Sequence, residues 1–324
     1  MEIKDLAGLS QPLTKLVEVV SSAVGTVYRP KAIRDEADAQ AYAKKALARA
    51  DTESALESKA LEFSSALDRV QQALKDHPQL AERARNRLLA REVEGQLNVE
   101  SIADFASEAL PPAVSSQPVN ADWRRKFFQE AENVCESDMQ LLWGKVLAGE
   151  VTAPGTYSTR TLDTLRRLSK WEAELFRKAC AIAMSDGWIA VPTGDLNESL
   201  KPFGLTYTDI LSLRDAGLLM DGDHIHKDFS QSPRAPDGSA RPVVLFNNGV
   251  MIELSGASMA ALRLPALLFT RAGTELQRLN GQAETPEYLA ALAAALRQRG
   301  LSVKRGTDVP QGEGLSVVVF EQDL

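Results

Sequence analysis

Gly187-Trp188-Ile189-Ala190-Val191, then Asp195-Leu196-Asn197-Glu198-Ser199-Leu200, then Thr206-Tyr207-Thr208-Asp209-Ile210-Leu211-Ser212-Leu213-Arg214-Asp215-Ala216-Gly217, is the stretch on which the chain changes character. A short apolar run after a glycine reads as a strand, and the six residues from Asp195 read as a short helix. Thr206, with Asp209 in the first turn, caps a further helix carrying Ile210, Leu211 and Leu213 and ending at Gly217. Just upstream, Ser169-Lys170-Trp171-Glu172 is a capping box that opens a helix through Leu175, Phe176, Ala179 and Ile182. Downstream, strand-like runs recur at Leu218 to Met220, Val243 to Phe246, Val250 to Leu254 and Leu267 to Thr270. Helix, strand, helix, turn, helix, strands is the order of a winged helix, so residues 169–282 are expected to form a winged-helix-like domain. Within it, residues 222–242, with Pro233, Pro236, Gly238 and Pro242, are expected to be a long wing or loop. Residues 283–324 are expected to add a helix entered by Thr285-Pro286 and ended by Gly300, with strands near 301–304 and 315–320.

Toward the N-terminus the composition shifts to helix formers. No glycine falls between Thr26 and Glu94, and only Pro30 and Pro78 interrupt a stretch rich in Ala, Glu, Lys, Arg and Leu. Residues 35–76 are expected to be one long helix. Its Leu56, Ala60, Phe63, Leu67, Val70 and Leu74 alternate steps of four and three, the seam of a coiled coil, open equally to self-association and to packing on later helices of the same chain. Pro78 cannot continue a helix interior, so a reversal there and a second helix from about Gln79 to Gln96 give a helical hairpin. His77, just before Pro78, is expected to cap a helix end. Before these, Leu13, Leu16, Val17, Val20, Val24 and Val27 recur at helical spacing behind Ser10. This amphipathic helix is expected to dock on the body or on a second subunit, with a membrane-surface helix as the alternative. The basic Tyr28-Arg29-Pro30-Lys31-Ala32-Ile33-Arg34 that follows is expected to be a solvated turn.

The first region, 1–110, is thus read as helical. Residues 111–120, Pro-Pro-Ala-Val-Ser-Ser-Gln-Pro-Val-Asn, have linker composition, and 111–168 is read as this linker followed by a Trp-rich helical unit. Trp123, Phe127 and Ala131 share a helix face; Ser137 and Gln140 form a capping box for a helix through Trp143 and Leu147 that Gly149 stops. All four tryptophans lie between Trp123 and Trp188, which indicates a compact core. The fold class expected is mainly α with an α+β C-terminal part.

The segment Trp123-Arg-Arg-Lys-Phe-Phe-Gln-Glu-Ala-Glu-Asn-Val, followed by Met139-Gln-Leu-Leu-Trp-Gly-Lys-Val-Leu-Ala-Gly-Glu150, resembles an uncharacterised bacterial family, a domain of unknown function, and is similar to the abortive-infection alpha proteins. The opening Leu6-Ala-Gly-Leu-Ser-Gln-Pro-Leu-Thr-Lys-Leu and the Tyr28-Arg-Pro turn fit the first family as well. The resemblance covers residues 1 to about 180 and implies a bacterial or phage origin and a link to phage defence. It implies no catalytic residues.

The chemistry the chain could carry is narrow. Of its 324 residues, 37 are Lys or Arg and 44 Asp or Glu, a net charge of -7 that opposes nonspecific attraction to phosphate or anionic lipid. Cys135 and Cys180 form no disulfide framework and no metal-ligand spacing, which fits a reducing cytoplasm. The acidic first residues lack a signal-peptide pattern, and no run of about 18 uninterrupted apolar residues occurs. His224 and His226 would share one face of a strand with Asp228, but no further Cys or His completes a zinc set, so a solvated hairpin is expected there. No nucleophile elbow and no phosphate-binding glycine loop is present. The chain is read as non-enzymatic, with no cofactor and no metal.

Reading DNA takes Arg, Lys, Asn or Gln along an exposed helix face, and Tyr207–Ala216 offers Arg214 alone beside Asp209 and Asp215. Arg83, Arg87 and Arg91 instead step by four along one helix face. They are expected to pair with Glu82, Glu92 and Glu94 or with another helix, or else to meet an anionic ligand or nucleic acid. The function expected is that of a cytoplasmic interaction or scaffold protein, plausible in phage defence, acting through self-association or a protein partner. A winged-helix DNA-binding regulator is the alternative.

Overall fold

The amphipathic N-terminal stripe forms helix α1 (Gln11–Val24), with Leu16, Val17 and Val20 fully buried. It packs against α2 (Pro78–Ala109), α3 (Ala121–Ala131) and α4 (Ser137–Thr152), so that stripe faces protein, as the docked reading expects. The computed structural model describes residues 10–24, 28, 72, 75–222, 224–230, 234–236, 239–280, 284–312 and 315–324. The chain divides into two compact units, Met1–Thr156 and Tyr157–Leu324. Of the expected helix over 35–76 only Gln72, Lys75 and Asp76 are among the described residues, and its seam at Leu56, Ala60, Phe63, Leu67, Val70 and Leu74 lies outside them.

In the first unit α2 does not end near Gln96 but runs on to Ala109, burying Gly95, Val99, Ile102, Ala103 and Ala106. Tertiary packing overrides the helix-breaking tendency of Gly95, whose site has Glu132 within 3.3 Å of where a Cβ would stand. His77 is the N-cap residue of α2 and makes no side-chain cap bond there. The α2–α4 crossing is built on Gly144. A Cβ there would come within 2.6 Å of Phe105 Cβ and 3.0 Å of the Ile102 carbonyl oxygen. Trp123 stacks on Phe127 at 5.0 Å, and Phe127 meets Trp143 at 5.2 Å, the aromatic core the tryptophans indicated. Trp171 departs from it and is 56% exposed. Tyr28 is buried and donates its hydroxyl to Asp104 at 2.7 Å, so it belongs to the core and not to a solvated turn.

Three local expectations in this unit are corrected. The Ser137–Gln140 capping box does not form: Glu136 is the cap residue and makes no side-chain bond. Gln140 instead turns inward, donating to Asn98 Oδ1 and the Val134 carbonyl and accepting from Ser101 Oγ, which satisfies a buried amide better than one cap bond would. The helix also passes Gly149 and ends at Thr152. Residues 111–120 are not a boundary between units, because the Ser115 N–H donates to the Thr152 carbonyl and Val119 is buried. Asn120 there caps α3, accepting from the Asp122 and Trp123 amides.

The second unit opens with α5 (Thr159–Arg167) and α6 (Lys170–Ile182); then come β1 (Trp188–Ala190), the short α7 (Leu196–Ser199) and α8 (Tyr207–Asp215). Both expected caps form, Ser169 with Glu172 and Thr206 with Asp209. Strands β2 (His226–Asp228) and β5 (Arg263–Leu268) join β1 in an antiparallel sheet of order β1-β5-β2, with Trp188 opposite Leu268 and His226 opposite Pro265. Leu218 to Met220 is not a strand; Leu219 makes a single bridge to Phe269.

Between β2 and β5 the chain forms a second hairpin, β3 (Val243–Asn247) and β4 (Val250–Ser255), turned by Asn248 and Gly249, both at positive φ as a two-residue hairpin of this hand requires. After α9 (Arg271–Gln277) and α10 (Pro286–Gln298), β6 (Ser302–Gly312) and β7 (Leu315–Asp323) complete a four-stranded antiparallel sheet of order β3-β4-β6-β7. Leu254 therefore pairs with Val303, and residues 283–324, expected as a separate C-terminal part, share a sheet with the region before them. The mainly α fold with an α+β C-terminal part is the one observed.

Candidate interaction surfaces

Helix α2 has two unlike halves. From Gly95 onward one face is buried; from Gln79 to Glu94 only Ala81 and Leu89 are half-buried and every other residue is exposed. This half is not a conventional polar surface, since Leu80 is 47% and Leu88 61% exposed, with Val93 and Leu97 also open. Arg83, Arg87 and Arg91 stand here at the spacing the sequence gives, spread over about 12 Å of helix. Among the described residues Arg83 and Arg87 make no ion pair with Glu82, Glu92 or Glu94. Arg91 reaches Glu132, whose carboxyl is pushed up by burial and by Glu92 and drawn back by Arg91.

Helix α8, which would face a DNA groove if this region read DNA, is not basic. Its outward residues include Thr208, Leu211 and Asp215, and Leu211 is 44% exposed. Arg214, the lone basic candidate, donates from a guanidinium nitrogen to the Gly222 carbonyl at 2.7 Å, which ties it to the following turn.

The histidine pair does not share a strand face. His224 sits at φ 65, before β2 begins, and its carbonyl bonds the His226 Nδ1 at 2.7 Å. Because a carbonyl only accepts, Nδ1 carries the proton in this bond. The two rings, with Asp195, Tyr207 and Pro265, line an open cleft of about 290 Å³. Among the described residues no group of three or more His, Cys, Asp or Glu is placed to hold a metal ion. Cys180 is buried, and burial pushes its thiol pKa far up, which leaves it without thiolate character.

Three interior polar groups that local sequence pattern does not reveal organise these surfaces. Lys15 donates to the Ser115 carbonyl at 2.6 Å and the Val151 carbonyl at 2.7 Å, fixing α1 to the end of α4. Burial lowers its pKa, and Glu150 opposes that shift. Gln140 bridges α2 and the turn before α4. In the second unit the buried Glu275 accepts from the Ser158 amide at 2.6 Å and from the Thr161 hydroxyl, at the start of α5, and from Arg271 at 2.7 Å. Burial alone would raise the Glu275 pKa, but these donors outweigh it and hold the carboxyl below its ordinary value. Apart from Arg271, four residues before Glu275 in the same helix, these partners lie in other elements, so no local pattern announces them.

A family model described as a protein of unknown function (DUF2806) matches residues 82–188, from the exposed half of α2 through β1. The match includes the Trp123 to Glu150 segment that carries the resemblance to a domain of unknown function; it brings no link to abortive infection. No curated protein matches the chain. No solved structure matches it either. Among the described residues no helix is long and apolar enough to cross a membrane.

Proposed function

We propose that this chain is a non-enzymatic interaction or scaffold protein that works through exposed helical surface, by self-association or by binding a protein partner. The observation that carries this reading is the first half of α2, where Leu80, Leu88 and Val93 stand exposed among arginines. Large apolar side chains on a helix with no cover among the described residues are what a protein interface leaves open in the free chain. Residues 169–282, in which α6, β1, α7 and α8 are followed by strands β2 to β5 and then α9, are read as a winged-helix-like unit used for protein contact. The outward face of α8 supports contact with protein over DNA, since Leu211 is open, Asp215 is acidic and Arg214 is occupied.

A setting in phage defence rests on the resemblance of the Trp123 to Glu150 segment alone. The seam from Leu56 to Leu74 remains the proposed helical route to self-association. Sedimentation of the wild type at micromolar concentration, alongside a variant with Phe63 and Leu67 changed to Glu, tests it: a dimer that the variant dissociates supports the seam. A monomeric wild type rejects self-association. Mobility shift with duplex DNA at two salt concentrations tests the alternative; a DNA-binding regulator would bind, and would lose affinity steeply as salt rises.

A further inference from the structure

We propose that the outward face of α6 binds single-stranded nucleic acid, with Trp171 as the platform on which a base stacks and the cations around it as the contacts for phosphates. This goes beyond the protein-contact reading and uses a different surface from the exposed half of α2. Trp123, Trp143 and Trp188 are buried, whereas Trp171 is 56% exposed. Among the described residues its ring meets no other ring and its indole N–H has no acceptor. The core side of α6 is complete without it, built from Leu175, Phe176, Ala179, Cys180 and Ile182.

What surrounds the indole is charged, and mostly of one sign. Lys170, Trp171, Glu174, Arg177 and Lys178 are all exposed and, at 3.6 residues per turn, fall within about 120° of one another around the helix. Arg166 and Arg167 are exposed in the last turn of α5, just before α6 begins. From Arg166 to Lys178 the chain carries five cations and two carboxylates, against a net charge of -7 for the whole. One of the two carboxylates, Glu172, is committed to the helix cap, accepting from the Ser169 amide at 2.8 Å and its hydroxyl at 2.6 Å. Lys178 stands about 10 Å along α6 from Trp171, and its stem rests on the turn at Gly204, 3.7 Å from where a Cβ would be.

The occupant follows from the two features together. Cations alone attract any polyanion, but an open indole face selects a partner with a flat π face of its own, and a nucleotide joins such a face to a phosphate. A duplex keeps its base faces stacked on one another, so only a single strand presents them. An acidic peptide would meet the charge and leave the indole bare. Because every base has a π face, binding here is expected to tolerate any sequence. The acidic balance of the rest of the chain confines it to this face.

Fluorescence anisotropy of labelled oligothymidylate and oligouridylate, each of about twelve nucleotides, with the full chain tests this. The wild type is expected to bind at least one of them, more tightly than a duplex of the same length, and the tighter of the two identifies DNA or RNA as the source. Trp171→Ala is expected to weaken binding by about fivefold or more, and Trp171→Phe to recover most of it, since a phenyl ring still stacks. Changing Lys170 and Lys178 to Ala together is expected to flatten the slope of log affinity against log salt by about 1.4, two phosphate contacts on a single strand. Glu174→Gln is expected to tighten binding, a gain that a damaged surface could not produce. A wild type that binds neither strand, binding that Trp171→Ala leaves intact, or equal affinity for the duplex overturns the proposal. So does oligoglutamate that binds in a Trp171-dependent way where neither strand does, which would make the partner an acidic protein segment. None of these outcomes decides self-association, which sedimentation tests by itself.

Discussion

In Met1–Thr156 two polar side chains that reach inward end on backbone carbonyls, Lys15 on Ser115 and Val151 and Gln140 on Val134. In Tyr157–Leu324 Asn247 and Tyr288 likewise end on carbonyls, those of Ala183 and Ala190, but one carboxylate, Glu275, gathers a backbone amide, a hydroxyl and a guanidinium. The difference follows from what each unit leaves unpaired. Helices crossing closely, as α2 and α4 do at Gly144, expose carbonyls at their C-terminal ends, and a cation or amide donor satisfies them. Where α5 begins beside α9, the unpaired groups are N–H donors, and a carboxylate is the matching partner.

The largest expected effects test whether the two units are energetically separate. A Cβ at Gly273 would collide with the Leu218 carbonyl oxygen, a backbone atom that cannot swing aside, so Gly273→Ala should cost about 3 kcal/mol or more. Gly144→Ala meets Phe105 Cβ at 2.6 Å and should cost about 2–3 kcal/mol. Hydrogen exchange on each variant should show protection falling in the mutated unit while the other keeps its own. Simultaneous loss in both units would break the comparison.

Glu275→Gln comes next, with an expected loss of about 2 kcal/mol, because it removes the charge that three donors address. Its pH dependence has a fixed sign. The folded-state pKa is depressed, so the stabilisation is complete above the unfolded carboxylate value of about 4.3 and disappears as pH falls through the folded value. Urea midpoints of wild type and variant should therefore converge in acid; a constant gap down to low pH would count against the clamp. Lys15→Met should cost less, about 1–2 kcal/mol, and should free α1 first, read as faster exchange of the Leu16 to Val20 amides.

What the sequence made legible was local. The Ser169–Glu172 and Thr206–Asp209 caps, the docked α1 stripe and the strands that begin at Trp188, Val243 and Val250 rest on neighbours within four residues, where side-chain pattern and backbone geometry are directly coupled. The Asn248-Gly249 hairpin was equally open to such a reading, since the dipeptide alone signals it. Glu275, Lys15 and Gln140 were not legible, because apart from the i,i+4 pair of Glu275 with Arg271 their partners are set mainly by packing of other elements. Gln140 shows how this misleads: a cap pattern three residues long lost to three bonds available only once α2 had packed. The α2 halves divide along the same line. Propensity foresaw a helix, while only tertiary structure separates the buried stretch from the exposed one.

The smallest expected effect on stability, and the sharpest on function, concerns the arginines. Arg83, Arg87 and Arg91 are exposed, so changing all three to Ala should move the unfolding free energy by under about 0.5 kcal/mol. If an anionic partner binds this chain, the same change should abolish its salt-dependent affinity, because three like charges within about 12 Å of one helix face make the field that attracts it. Arg214→Ala should behave in the opposite way. Its guanidinium holds the Gly222 carbonyl across the turn after α8, so its removal should lower stability measurably and leave binding within about a factor of three. Titrating a labelled duplex of fixed length against both variants at two salt concentrations separates the cases. An essential Arg214 beside a silent triple variant would return α8 to the role of DNA reader and would reduce the exposed half of α2 to ordinary solvated surface.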